Sequence, residues 1–204
     1  MEIKFKMAKK GTWDDDFYTK KAQKEGYPAR SVYKLQEIQQ KFNVIKKDFK
    51  VLDVGAAPGS WTMYIMHFLG EAGFLSAIDL KPLSIEIKNK NFFFVQGDAF
   101  SQENIRLLAE KGPYNAVLSD AAPSTTGNKI VDTERSIQLI ESIYNTALQV
   151  LLPGGNFVFK MFQGGKEKEI LESMRKNFNA VKILKPQACR TNSFETFVIG
   201  LGKK

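Results

Sequence analysis

The stretch VLDVGAAPGSW, residues 51–61, decides the fold. Val51, Leu52 and Val54 form a short apolar run that stops at Gly55. Ala56, Ala57 and Pro58 make a turn, and Gly59-Ser60-Trp61 opens a second apolar segment. The order reads as a buried strand, a Gly-rich turn and the start of a helix. Similar short runs, branched or aromatic and ended by Gly or Asp, recur on the C-terminal side: FLSAID (74–79), FFFVQGD (92–98) and YNAVLSD (114–120). NFVFKMF (156–162), VKILKP (181–186) and TFVIGLG (196–202) continue the series.

Helical patterns alternate with these runs. Val32, Leu35 and Ile38 recur at helical spacing within 30–41. A helix follows the Gly-rich turn over about 60–69. Residues 132–151 set Ile137, Ile140, Ile143, Tyr144, Ala147 and Val150 on one face, and PGG (153–155) is the expected stop. Residues 165–178 form the last helix. Strands alternating with helices predict an α/β domain with a mostly parallel sheet and helices on both faces. The seventh run follows the sixth with too little chain for a helical crossover, so the last strand is expected to pair antiparallel.

Composition bounds the function. The chain has 204 residues, 43% of them hydrophobic, enough for one domain with a full core. No apolar run reaches membrane-spanning length, and the start MEIKFKMAKKGTWDDD lacks a secretory h-region. The expected location is the cytoplasm, or an organelle if a targeting segment was removed. Cys189 is the only cysteine and His67 the only histidine, which excludes an internal disulfide and argues against a Cys/His metal site. No metal is expected.

The formal charge is +8 and uneven: residues 1–50 hold 13 Lys/Arg against 7 Asp/Glu. A basic, flexible arm over 1–29 in front of a single domain over 30–204 fits a polyanion partner, since each neutralised phosphate releases counterions.

The turn GAAPG (55–59) is not G-x-G-x-x-G. Ala56 and Pro58 occupy positions a dinucleotide pyrophosphate would need open, which disfavours a nicotinamide dehydrogenase. A nucleoside cofactor with a sulfonium in place of phosphates needs no such nest; it needs room beside Gly55 and Gly59. Asp79 closes the next strand, where an acidic residue can accept ribose hydroxyls, and Asp98 closes the one after, within reach of an adenine amino group. Trp61 can pack on that cofactor or fill the helix–sheet core. Asp53 is expected to hold the loop through its backbone N–H groups.

Four charged residues complete the pattern. Lys34 lies in SVYKLQEI (31–38), Asp120 in VLSDAAPS (117–124), Lys160 in NFVFKMF and Glu195 in NSFETF (192–197). Three of them fall near the ends of apolar strands, where charge is rarely a packing device. Brought together, they form a cluster of two cations and two anions beside the nucleoside cradle.

With these strings in place, the chain resembles the FtsJ-type (RrmJ-type) ribosomal RNA 2′-O-ribose methyltransferases from about Tyr27 to Gly202. The resemblance rests on R-S-x-Y-K-L-x-E-I (30–38), the 51–61 stretch, Q-G-D (96–98) and L-S-D-x-A-P (118–123). It rests also on TGN (126–128) with Asp132 and Arg135-Ser136, on FVFKMFQG (157–164), in which Phe159 precedes Lys160, and on K-P-x-A-x-R-x-x-S-x-E (185–195). Thr126 and Cys189 are small departures, standing where Ser and a Ser/Ala-like residue are more usual, and the Lys-rich loop between Asp79 and Asp98 matches least.

The resemblance implies a Rossmann-like, S-adenosylmethionine-dependent methyltransferase fold with a seven-stranded, mostly parallel sheet. It implies a catalytic tetrad at Lys34, Asp120, Lys160 and Glu195, and cofactor contacts at Gly59, Trp61, Asp79, Asp98 and Asp120, beside the Gly55 of the cradle. The implied partner is ribosomal RNA within the large subunit, with a uridine ribose as target, a monomeric enzyme and no membrane. Lys160 would touch the 2′-oxygen. A lysine amine is ordinarily protonated at neutral pH, so orienting the oxygen is the expected role and base action the alternative. Tyr18, Tyr27 and Tyr33 can stack on bases or serve as scaffold. The rivals are a tRNA or cap 2′-O-methyltransferase of the same fold and a non-catalytic ribosome-assembly factor.

Overall fold

The computed structural model describes residues 2–5, 17–123, 129–162, 167–189 and 193–204. The TGN stretch, Gln163-Gly164, Arg190 and residues 6–16 of the arm lie outside the described residues.

The 51–61 stretch folds as its pattern predicts. Strand β2 (Lys50–Val54) is buried after its first residue, and helix α3 (Ser60–Phe68) follows the turn. Strands β3 (Phe74–Asp79) and β6 (Tyr114–Ser119) flank β2, both parallel to it. Strand β5 (Phe92–Gln96) extends the sheet beyond β3, and β7 (Leu151–Phe162) extends it beyond β6. Strand β9 (Glu195–Lys203) runs antiparallel between β7 and β8 (Phe178–Leu184). The seven-stranded order is β5-β3-β2-β6-β7-β9-β8. The expected antiparallel hairpin is present, with Leu184 opposite Phe197.

Side chains alternate across the strands, so each sheet face has its own core. One face packs Leu52, Phe157, Phe159 and Val198 against Leu108 of α4 (Gln102–Lys111), Ile140, Ile143 and Ala147 of α5 (Lys129–Val150), and Met174 of α6 (Glu167–Asn177). The other packs Val51, Leu118, Val158 and Phe197 against Leu35 and Ile38 of α2 (Val32–Phe42) and Trp61 and Ile65 of α3. Among the described residues no helix is long and apolar enough to cross a membrane.

Four features differ from the sequence reading. Helix α5 ends at Val150, before PGG, because Leu151 already pairs with Tyr114 in the sheet. Helix α4 was not expected: Ile105 and Leu108 stand at helical spacing, only Leu108 is fully buried, and the start is marked by Ser101, whose side chain accepts from the Asn104 N–H. Strand β1 (Glu2–Phe5) pairs antiparallel with β4 (Ile85–Lys88), a contact between segments far apart in the chain that local periodicity does not reveal. Helix α1 (Phe17–Lys24) falls within the segment expected to be a flexible arm, yet it docks through Ala22 onto Val32, Tyr33 and Ala188.

Candidate active site

The site lies at the C-terminal ends of the central parallel strands, where chain direction leaves loops free to form a cleft. Gly55 leaves β2 with φ +79°, and a Cβ there would lie 2.6 Å from the Cβ of Ala121. Its N–H donates to the Ile78 carbonyl at 2.9 Å, tying the turn to the end of β3. Gly59 has φ +115° and is covered by Ile85 of β4, whose Cδ1 would meet an added Cβ at 2.7 Å. Both glycines are thus required by conformation and by space.

Asp79 ends β3 and turns its carboxylate back on the loop. Oδ2 accepts from the Ala57 N–H and Oδ1 from the Lys81 N–H, each at 2.8 Å. An ionised carboxylate has about four lone-pair sites, so both oxygens keep capacity for ribose hydroxyls. Asp98 follows β5, is exposed, and accepts from the Phe100 N–H at 2.9 Å. Gly55, Asp79, Asp98 and Asp120 line one cleft of about 380 Å³.

Gly59 and Trp61 stand further back, at the start of α3, and are not among the described residues lining that cleft. The Trp61 indole is buried beside Phe197, ring centroids 5.7 Å apart, and donates its N–H to the Ser31 carbonyl at 2.9 Å. The ring therefore fills the helix–sheet core. Its bond to Ser31 and that of Ser60 Oγ, which accepts from the Ala29 N–H at 2.7 Å, join the start of α2 to the start of α3.

Asp53 differs from its expected role. It is 1% exposed, and its Oδ2 accepts from the Thr62 hydroxyl at 2.6 Å instead of from loop N–H groups. Its Oδ1 is buried without a hydrogen-bond partner among the described residues. Burial pushes its pKa from 3.8 up to about 7, against the pull of the Thr62 hydrogen bond and helped by the charges of Asp120 and Asp79.

The four separated charges meet as two ion pairs. Lys34, buried on α2, approaches Glu195 Oε1 to 2.8 Å. Lys160, near the end of β7, donates to Asp120 Oδ1 at 3.0 Å and to the Asp120 carbonyl at 2.6 Å. The ladder sets Lys160 opposite Phe197 and Phe162 opposite Glu195, so these four side chains share one face. The pairs also sense each other. Burial lowers the Lys34 pKa, but Asp120 and then Glu195 outweigh it and hold it above the ordinary value. Burial raises Glu195, but Lys34, the Cys189 hydrogen bond and Lys160 hold it below. Asp120 belongs to both halves of the site: it lines the cleft and anchors Lys160.

Cys189 is a neighbour whose role the sequence did not signal beyond its departure from a Ser/Ala-like position. Burial, then a hydrogen bond to Glu195, pushes its thiol up to about 12, so it stays protonated. Among the described residues no group of His, Cys, Asp and Glu is arranged to hold a metal ion. The tyrosines act as scaffold: Tyr33 donates to Glu25 at 2.9 Å and packs 5.5 Å from Tyr18, within the cluster that also takes Tyr27.

A seven-stranded sheet with one antiparallel strand set inside its edge, and an acidic cleft at the strand ends, defines a Rossmann-like methyltransferase fold. The chain belongs to the FtsJ-like methyltransferase family, whose model matches residues 27–203. It is 50% identical over 198 residues to the ribosomal RNA large subunit methyltransferase E of Treponema denticola, covering 97% of this chain and 100% of that one. A crystal structure of a chain described as a ribosomal RNA methyltransferase from Plasmodium falciparum superposes with a TM-score of 0.73 at 26% identity, over 87% of this chain and 98% of that one. Human methyltransferase-like protein 13, in complex with SAH, shares the fold alone: TM-score 0.56 at 15% identity, over 84% and 77% of the two chains.

Proposed function

We propose that this protein transfers a methyl group from S-adenosylmethionine to the 2′-oxygen of a ribose in large-subunit ribosomal RNA, a uridine by the family resemblance. The observation that carries the reading is the double role of Asp120, which lines the nucleoside cleft and holds the Lys160 ammonium. One residue thus links a cofactor site to a group that can address a hydroxyl. The near full-length likeness to a relative named for large-subunit ribosomal RNA supports the substrate class.

The residues present fit the cofactor. Gly55 lets the Ala121 backbone close against the turn without a Cβ between them, Asp79 and Asp98 suit ribose and adenine, and Asp120 lines the same cleft. When bound, S-adenosylmethionine supplies a methyl group on a sulfonium, already activated for displacement by an oxygen lone pair.

The chain's own task is to position that oxygen and exclude water. A lysine ammonium has three N–H donors. Two of those of Lys160 go to Asp120, and the third, without a hydrogen-bond partner among the described residues, can meet the 2′-oxygen. Such an arrangement favours orientation over proton abstraction: the oxygen lone pair would form the bond to the methyl carbon as the carbon–sulfur bond breaks, the thioether S-adenosylhomocysteine would leave, and the acidified 2′-proton would pass late to solvent. Lys34 and Glu195 balance the charge and hold the ribose from the α2 side. Helix α1 presents Lys20, Lys21 and Lys24 to solvent just before Arg30, a surface suited to backbone phosphates.

Incubation with methyl-labelled S-adenosylmethionine and intact large subunits, free ribosomal RNA or tRNA, followed by alkaline hydrolysis and mapping, tests the reading. Label in an alkali-resistant dinucleotide of large-subunit RNA is expected. Label in a base, in tRNA alone, or in no RNA overturns it.

A further inference from the structure

Trp61 follows Ser60, the first residue of α3, and stands two residues beyond Gly59, the last glycine of the cofactor turn. A tryptophan is large and carries one polar atom, an indole N–H that needs an acceptor when buried. The Trp61 side chain is buried and is not among the described residues lining the cleft. Two contacts lead from it to the tetrad.

The first runs through the backbone of α2. The Ser31 carbonyl accepts from the Trp61 indole N–H at 2.9 Å and from the Lys34 backbone N–H at 3.1 Å. One oxygen thus ties the indole to the residue that carries the first tetrad cation. The second runs through the buried ring of Phe197. The Trp61 and Phe197 centroids lie 5.7 Å apart, and the Lys34 Nζ stands 5.8 Å from the Phe197 centroid. Phe197 is also the ladder partner of Lys160 and lies two residues beyond Glu195, so it shares a sheet face with both. The ring against Trp61 therefore meets the Lys34 ammonium and neighbours Lys160 and Glu195 on the strand pair.

The cofactor turn and Lys34 come from different elements, yet transfer needs them in fixed register. A misplacement of about 1 Å costs about a hundredfold in rate. The Lys160–Asp120 contact ties β7 to β6 and does not reach α2. Ser60 Oγ, accepting from the Ala29 N–H at 2.7 Å, gives the start of α2 a further anchor on the same turn of α3.

We infer that the Trp61 side chain is a positioning residue: through Ser31 and Phe197 it sets the distance between the cofactor turn and Lys34, and so the place of the Lys34–Glu195 pair against the reacting atoms. The inference rests on the proposed 2′-oxygen reading. It gives the indole a task in the transfer step and none in cofactor affinity.

The test compares Trp61→Phe and Phe197→Leu with the unaltered enzyme. Ile65→Val, in the same core on α3, is the control for stability alone. Methyl transfer to intact large subunits gives kcat and KM, equilibrium dialysis of labelled S-adenosylmethionine gives the cofactor Kd, and urea denaturation gives stability. Trp61→Phe keeps a ring in the core and removes the N–H. The Ser31 carbonyl keeps the Lys34 N–H as donor, so no buried group is stranded. In this variant kcat should fall roughly tenfold to a hundredfold, while KM and the cofactor Kd stay within about twofold. Phe197→Leu should show the same split, and it decides alone should Trp61→Phe not fold. Ile65→Val should lower the urea midpoint and leave all three constants unchanged.

A raised cofactor Kd with normal kcat in Trp61→Phe overturns the inference, since the indole would then serve the cofactor. Normal kcat in either ring variant overturns it too. So does a fall in kcat in Ile65→Val that matches Trp61→Phe, since any loosening of the core would then suffice. If the unaltered enzyme transfers no methyl to a ribose, it is the functional reading that fails.

Discussion

Lys160 Nζ holds Asp120 at two points, its carboxylate Oδ1 at 3.0 Å and its own backbone carbonyl at 2.6 Å. The contact joins the ends of β6 and β7, neighbouring strands, and the residues that follow β6, Asp120 to Pro123, line the cleft. It fixes the ammonium within a small volume, as the proposed transfer to a ribose hydroxyl demands. Lys160→Ala and Asp120→Ala should each lower methyl transfer by about 10² to 10⁴ while circular dichroism shows the fold intact. Folded variants that retain full activity would remove these residues from the mechanism.

The Lys34–Glu195 pair is buried, with side chains 9% and 10% exposed, so breaking it from one side strands a charge. Lys34→Met or Glu195→Gln alone should destabilise by about 3–5 kcal/mol. The double variant should lose markedly less than the sum, giving a stable but inactive enzyme. Urea denaturation of all four forms yields the coupling energy; additivity within about 0.5 kcal/mol would show that the pair is not a structural unit.

Gly55 and Gly154 share a left-handed backbone, φ +79° and +80°, but not their surroundings. A Cβ at Gly55 meets Ala121, whereas one at Gly154 meets nothing within 4 Å. Gly154→Ala should cost about 1 kcal/mol from backbone strain. Gly55→Ala should cost about 1–3 kcal/mol more and weaken cofactor binding, which Gly154→Ala leaves unchanged. Equal stability losses would show that the loop yields and that the close approach to Ala121 is unimportant.

The Asp53 carboxyl, raised from 3.8 to about 7, favours the fold when protonated. Its contribution is complete below about pH 4 and is lost as pH rises through 7. Glu195, held below its ordinary 4.5, acts in the opposite sense: it supports the fold above that pH and its support is lost on acidification. In thermal melts without cofactor, Asp53→Asn should gain more over the unaltered protein at about pH 8 than at about pH 5, because the amide still accepts the Thr62 hydroxyl and carries no buried charge. An advantage independent of pH would refute the raised Asp53 value.

Much of this architecture was legible in the chain. Seven apolar runs of strand length, separated by helical patterns, specify a parallel α/β sheet because a strand buried on both faces must be apolar throughout. The short link before the last run specified its antiparallel direction. The four tetrad residues were identifiable through their strings and the family resemblance, as were Gly55, Asp79 and Asp98. Helix α4 was not read, although Ile105 and Leu108 stand at helical spacing behind the Ser101 cap; its ten residues are mostly polar and only Leu108 is fully buried. The β1–β4 ribbon was not either, since its register joins segments distant in sequence.

By itself the sequence determined the sheet, its turn chemistry and the identity of the charges, because these follow from local pattern and residue type. Only the tertiary structure decided which charge pairs with which: Lys34 with Glu195, Lys160 with Asp120. It also turned Trp61 into the core and left Asp53 Oδ1 unpartnered among the described residues. The physical reason is that pairing, burial and stranded polarity depend on strand order and register, which bring residues 34, 120, 160 and 195 together after long intervals of chain.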